Sequence, residues 1–217
     1  MLSIDVILYS FCFGYINNME NIKITYKKDI KEYESKSKII VFDLDGCIAN
    51  SDDFVLTNEQ VWSKDKGLFA KYNKQKPTKS NKDLFCEDYL YEYCLDVEPY
   101  FGILDLFVTT AKTSNVAIVT ARYLRFYAKT IEWLKQSVID RYNESTWRSL
   151  HYKLFFNENK ETSLQYKKRV FKELEKQYEI SLVVEDHPDI ITFLKKKNVN
   201  VLVPATGYKN LNGKDRG

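Results

Sequence analysis

The segment 38–50, KIIVFDLDGCIAN, decides how the rest of the chain is read. Ile39, Ile40, Val41 and Phe42 form an uninterrupted apolar run, which suits a strand buried on both faces of a parallel sheet. The run ends abruptly in Asp43 and Asp45. Along an extended backbone these two side chains point to one side and Leu44 to the other, and Gly46 permits a sharp exit from the strand. Acids at the carboxyl end of a buried strand lie where open α/β sheets bind ligands, although a lone DxDG is equally a strand running into a polar turn. Two neighbouring carboxylates repel each other and call for a cation, and hard oxygen donors suit Mg²⁺.

Working outward, the pattern beyond residue 100 is regular. Apolar positions at helical spacing predict a helix over 101–112, NVAIVT predicts a buried strand over 115–120, and an amphipathic helix follows over 123–138. Further strands are expected at 150–156, 181–184 and 199–203, and further helices at 163–178 and, opened by Pro188, at 188–197. Strands alternating with helices imply βαβ units and a doubly wound parallel α/β sheet. Between the acidic strand and this region lies 51–98, which shows no sustained strand alternation and reads as helical pieces with loops. An insertion of that size directly after the acidic strand is expected to sit over the site as a mainly helical cap. The expected organisation is an N-terminal extension (1–37), a core (38–50 and 99–207), the cap (51–98) and a tail (208–217).

A chain of 217 residues, 44% apolar and 29% charged, has ordinary globular composition and enough length for a substantial core. The net charge of +3, with both signs interspersed, gives no overall signature for binding a polyanion, so any nucleic-acid contact has to be local. Cys12, Cys47, Cys86 and Cys94 show no CxxC spacing, and the two histidines, His151 and His187, do not accompany them. This speaks against a zinc site and for reduced intracellular thiols. The opening segment MLSIDVILYSFCFGYINNME is broken by Asp5 and lacks a basic leader, so neither a membrane partner nor a membrane span is expected, and a cytoplasmic location is. Met19 is an alternative start of translation. The sequence carries no signal for oligomeric state.

Three further places attract attention. Thr120 and Arg122 follow the second strand, where a hydroxyl and a guanidinium suit a phosphate, though Thr120 also suits an ordinary helix N-cap. Lys167, Lys168 and Arg169 form a basic run on a helix, readable as a solvated face or as a cation for a phosphoryl oxygen. Glu185 and Asp186 end another apolar strand, so that Asp43, Asp45, Asp186 and Glu185 together make an oxygen site for Mg²⁺ plausible. His187 and Asp189 read as a turn and a helix-start acid.

The ordered set Asp43-Leu44-Asp45-Gly46, Thr120, Lys167 and Glu185-Asp186 resembles the four motifs of the haloacid dehalogenase (HAD) superfamily of phosphohydrolases, over roughly residues 38–205. Within it the chain looks most like the 3′-phosphatase domain of phage-type polynucleotide kinase-phosphatases, on the segments TAR, TIEWL, QYKKRVF and VLVPATGY. It departs in having Cys47 where a threonine is usual and Glu185 as the first member of the acidic pair, and no GxxxxGK[ST] phosphate loop occurs.

The resemblance implies a Mg²⁺-dependent phosphomonoester hydrolase. Asp43 would be nucleophile and metal ligand, Asp45 acid and base and a ligand through its backbone carbonyl, and Asp186, with Glu185 beside it, would complete the metal site. Thr120 and Lys167 would hold phosphoryl oxygens, and Arg122 would contact the substrate. The expected partner is a phosphorylated substrate, in particular a nucleic-acid 3′-phosphate end of the kind met in nucleic-acid repair. Residues 64–82, with seven lysines and one acid interleaved with Phe69 and Tyr72, read as a nucleic-acid surface or as a solvated loop. The competing readings are a 5′-nucleotidase or other small-molecule phosphatase, and a catalytically silent HAD-like binding domain.

Overall fold

The computed structural model describes residues 23–24, 36–51, 91–159 and 161–204. Most of the expected extension, cap and tail, including the lysine-rich 64–82, therefore lies outside the described residues.

The apolar run after Ser37 becomes strand β2 (Lys38–Phe42) at the centre of a six-stranded sheet of order β1-β6-β5-β2-β3-β4. Its neighbours are β3 (Asn115–Tyr123) and β5 (Glu179–Val184), both parallel to it. β4 (Lys153–Asn157) and β6 (Val201–Val203) extend the parallel sheet on either side, and the two-residue β1 (Lys23–Ile24) pairs antiparallel with β6 at one edge. The chain goes outward from β2 through β3 to β4, then returns to the other side of β2 for β5 and β6. That reversal makes the carboxyl end of β2 the topological switch point, where doubly wound sheets open a crevice for ligands.

Strand period and helix period divide the core into two layers. Ile40 and Phe42 of β2, with Val116 and Ile118 of β3, face helices α1 (Phe101–Thr113) and α2 (Tyr127–Arg141) and pack on Leu104, Phe107, Trp133 and Leu134. The alternate residues Ile39, Val41, Ala117 and Val119 face α4 (Ser163–Gln177) and α5 (Pro188–Lys196), meeting Val170, Phe171, Ile190 and Leu194. A strand covered on both faces has no polar side to spare, which is why β2 is apolar until it reaches the crevice. Between α2 and β4 lies a short α3 (Glu144–Arg148), N-capped by Asn143, whose side chain accepts from Thr146 N.

The expected boundaries hold to within a few residues except at one place that matters. Strand β3 does not stop at Thr120 but continues to Tyr123, which pairs with Asn157 after a register shift beyond Val119. A 3₁₀ turn (Leu124–Phe126) then leads into α2. No Ser, Thr, Asn or Asp lies between residues 121 and 127, and α2 starts at Phe126 without a side-chain cap. Thr120, the last capping-type residue before the helix, thus drew the sequence boundary toward itself. Its side chain does not cap α2, whose N-cap is Phe126.

The chain leaves the core at Asn50 and returns beside its point of departure: Asn50 N donates to Glu98 O at 2.9 Å, and Ala49 bridges Pro99 antiparallel. Helix α2 anchors the returning segment, with Trp133 Nε1 donating to Val97 O at 2.6 Å and Lys129 Nζ to Tyr91 O at 2.7 Å. Among the described residues no helix is long and apolar enough to cross a membrane.

Candidate active site

The site grows out of the end of β2. Asp43 N donates to Val184 O at 2.9 Å, tying the last residue of the crevice edge to β5, and Asp43 Oδ1 accepts from Leu44 N at 2.8 Å. The backbone then closes a tight turn, with Gly46 N donating to Ala49 O and Ala49 N to Leu44 O. Gly46 sits at φ +76°, the left-handed region that glycine alone enters without cost. A Cβ there would lie 2.2 Å from Asp186 Oδ2, so this glycine also allows Asp186 to close on the turn.

Asp43 and Asp45 each face their own cation. Lys167, buried on the first turns of α4, places Nζ 2.8 Å from Asp43 Oδ2 and 2.7 Å from Glu185 Oε2. Lys168 and Arg169 turn away, to the Phe193 ring and to Glu161, so one member of the basic run enters the site. Helix α4 is fixed at its start by a capping box between Thr162 and Gln165, which sets the rotation that sends Lys167 inward.

Arg122 lies in the extension of β3, only 4% exposed. Its Nη2 reaches Asp45 Oδ1 at 2.6 Å, Nε reaches Asp45 Oδ2 at 2.9 Å, and Nη1 donates to Thr130 Oγ1 at 3.2 Å. The guanidinium expected to contact the substrate is here engaged by Asp45 and Thr130. Thr120 is wholly buried, and its Oγ1 accepts from Arg122 N at 3.1 Å.

Glu185 also departs from its expected place. It is 1% exposed, with Oε2 on Lys167 and Oε1 accepting from His187 N at 3.0 Å. Among the described residues, Asp43, Asp186 and Cys47 can bring one oxygen or sulfur each to within 4.8 Å of one another. From the sequence Cys47 reads only as standing where a threonine is usual, and its distance of two residues from Asp45 is the signal that places it beside the acids. His187 N-caps α5, its Nδ1 accepting from Asp189 N, as the turn and helix-start reading required.

Four carboxylates (Asp43, Asp45, Glu185, Asp186) meet two cations (Lys167, Arg122), leaving two negative charges when all are ionised. Burial alone pulls the Lys167 ammonium down, but Asp43 and Glu185 more than offset this and hold it firmly protonated. One ammonium does not compensate three carboxylates. Burial, followed by the nearness of Glu185, pushes Asp186 up to about 7, and burial pushes Asp43 well up against the pull of Lys167. The deficit equals one divalent cation, and the carboxylate oxygens are the donors Mg²⁺ prefers, so the residues fit that ion. Burial likewise pushes the Cys47 thiol up, so it stays protonated in the cation-free site.

No family model matches the sequence, and no curated protein does. Solved structures match the fold. A protein from Lactobacillus plantarum assigned as a phosphoglycolate phosphatase superposes with a TM-score of 0.51 at 17% identity, over 79% of this chain and 87% of that one. A chain of the Pnkp1/Rnl/Hen1 RNA repair complex gives 0.48 at 14% identity, over 79% of this chain and 43% of that one. A haloacid dehalogenase-like hydrolase from Streptococcus pneumoniae gives 0.47 at 14% identity, over 78% and 84%. The present chain spans less than half the length of the repair-complex chains it matches. Its sheet order and crevice are those of a doubly wound parallel α/β fold, which it shares with the Lactobacillus plantarum protein.

Proposed function

We propose that the chain is a phosphomonoester hydrolase that works through an aspartyl-phosphate on Asp43 and acts on nucleic-acid 3′-phosphate ends. The observation that carries the chemistry is the separation of the two acids: Asp43 is held by Lys167, and Asp45 independently by Arg122. A nucleophile and a proton carrier need different surroundings, and this pair has them.

In the first half-reaction an Asp43 carboxylate oxygen forms a bond to phosphorus as the ester P–O bond breaks, and Asp45 delivers a proton to the leaving oxygen. In the second, Asp45 takes a proton from water, which attacks the acyl phosphate and returns Asp43. Arg122 holds the Asp45 carboxylate through two contacts, and carrying the proton in the first half requires Arg122 to loosen its hold. Lys167 neutralises charge on the phosphoryl oxygens, and the Thr120 hydroxyl, whose oxygen already accepts from Arg122 N, has its hydrogen to donate to one of them. Mg²⁺ held by Asp43, Asp186 and the Asp45 backbone carbonyl would supply electrostatic stabilisation of developing negative charge.

The nucleic-acid end is supported by the motif resemblance and by the surface next to the site. Just beyond Arg122 in the sequence, Leu124 and Tyr127 are half exposed, and Arg125 and Lys129 lie over the Tyr91 ring. Apolar and aromatic faces interleaved with cations suit stacked bases and their phosphates. The test is phosphate release from a 3′-phosphorylated oligonucleotide against nucleoside monophosphates, with Mg²⁺ and an Asp43→Asn control. Preferred release from the oligonucleotide, absent in the control, is the expected result. Equal or faster release from monophosphates overturns the nucleic-acid assignment, and turnover in the control overturns the mechanism.

A further inference from the structure

The geometry points to a second kind of occupant for the cation site: a thiophilic divalent ion, Zn²⁺ or Cd²⁺, bound through Cys47 Sγ and one oxygen each from Asp43 and Asp186, in competition with Mg²⁺. The inference rests on the metal site of the proposed phosphatase and concerns what the unusual thiol does to it.

Cys47 is fully buried, and its Sγ lies 4.0 Å from Asp186 Oδ1, in a cluster whose three donor atoms fall within 4.8 Å of one another. One sulfur and two carboxylate oxygens bound to a common ion of ordinary metal–ligand lengths have mutual separations of this order. The position is fixed on three sides. The turn at residues 44–49 holds Cys47 N on Leu44 O at 3.2 Å, Gly46 lets Asp186 approach to a distance no Cβ allows, and Lys167 holds Asp43 from behind.

A hydroxyl at this place is a hard donor compatible with Mg²⁺, whereas a sulfur adds little to a Mg²⁺ site. The same sulfur strengthens binding of soft or borderline ions. A Cys-plus-two-carboxylate set with a position left open is a complete three-ligand site for Zn²⁺. As the sulfur–metal bond forms the thiol proton passes to solvent, so the ion meets a thiolate and two carboxylates. An ion bound this way occupies the oxygens that Asp43 and Asp186 would give to Mg²⁺ and withdraws Asp43 as a nucleophile. The expected consequence is a phosphatase that is switched off by Zn²⁺ or Cd²⁺ and restored by a chelator followed by Mg²⁺.

The test uses the full chain and Co²⁺ as a spectroscopic probe. The wild type should show the near-ultraviolet sulfur-to-cobalt charge-transfer band, which excess Mg²⁺ or Zn²⁺ removes. Cys47→Ser and, as a second variant, Cys47→Ala, each first checked for cooperative unfolding, should lose that band while keeping the weaker visible Co²⁺ absorption. Their Zn²⁺ affinity should fall on the order of 10- to 100-fold, with the Mg²⁺-induced rise in unfolding temperature retained. Visible Co²⁺ absorption without a charge-transfer band in the wild type overturns the Cys47 assignment and leaves the oxygen site standing. A band that persists in both variants, or that Mg²⁺ does not displace, assigns the sulfur to another cysteine and overturns the proposal. Absence of any Co²⁺ absorption, together with no Mg²⁺-induced stabilisation, overturns the underlying metal site itself.

Discussion

The Arg122 guanidinium clasps the Asp45 carboxylate through two nitrogens, Nη2 to Oδ1 at 2.6 Å and Nε to Oδ2 at 2.9 Å, from a position almost wholly out of solvent. A planar fork held this way fixes both the distance and the rotation of the carboxyl group. Lysine keeps the charge but not the fork. Arg122→Lys should therefore lower kcat about 10²-fold, the scale of a misplaced catalytic group, with KM little changed. Steady-state kinetics decide the matter, because a large rise in KM with kcat preserved would make Arg122 a substrate ligand instead.

Lys167 compensates two buried acids at once, through contacts of 2.8 Å to Asp43 and 2.7 Å to Glu185. Replacing it by methionine leaves buried carboxylates without a counterion, a loss of about 3–5 kcal/mol for a broken buried pair. Lys167→Met should lower the urea midpoint as well as abolish turnover. Adding Glu185→Gln removes one orphaned charge, so the double variant should regain part of the stability and none of the activity. Equal stability of the single and double variants would show that Glu185 is not Lys167's partner in solution.

How much of this was legible beforehand follows from the range of the interactions. The burial of Ile39 to Phe42 and the break at Asp43 are local, carried by side-chain period and polarity, and both survive in the structure. The helix and strand succession after residue 100 is equally local. Arg122 and Asp45 are separated by 77 residues, and no spacing rule links them. Glu185 and Asp186 are neighbours of like charge after the same apolar run. Which one meets Lys167 and which one meets the Gly46 turn is decided by the direction in which each leaves β5, a tertiary property. Thr120 misled for a physical reason: a good capping side chain stands before a helix that starts without a cap, because Arg122 and Tyr123 find partners that keep β3 extended.

Gly46 offers a test that separates fold from site. Alanine at φ +76° costs about 1–2 kcal/mol of backbone strain. Its Cβ would also meet Asp186 Oδ2 at 2.2 Å, and the carboxylate, the flexible member of that contact, has to move. Gly46→Ala should remain folded, with a modestly lower urea midpoint, and lose most of the stabilisation that Mg²⁺ confers on the wild type. A wild-type Mg²⁺ response in a folded Gly46→Ala protein would remove Asp186 from the metal site.

Away from the crevice, Asp105 of α1 predicts how stability depends on pH. Its carboxylate accepts from Arg141 Nε at 2.9 Å and Nη2 at 2.7 Å, and from the Tyr142 hydroxyl. Burial by itself raises this carboxyl, but the bonds from Arg141 and Tyr142 outweigh it and leave it below the usual carboxylate value. A depressed folded value means that the unfolded chain takes up the proton first as pH falls. The contribution is therefore complete above the ordinary aspartate value of about 4 and is lost as pH falls through the lower, folded value. The partially exposed pair contributes about 0.5–1 kcal/mol, so Asp105→Asn should lower the unfolding temperature by a few degrees near neutral pH. The difference from wild type should narrow on acidification and close once Asp105 is protonated in both states, and a gap that stays constant down to about pH 2 would assign the loss to packing rather than charge.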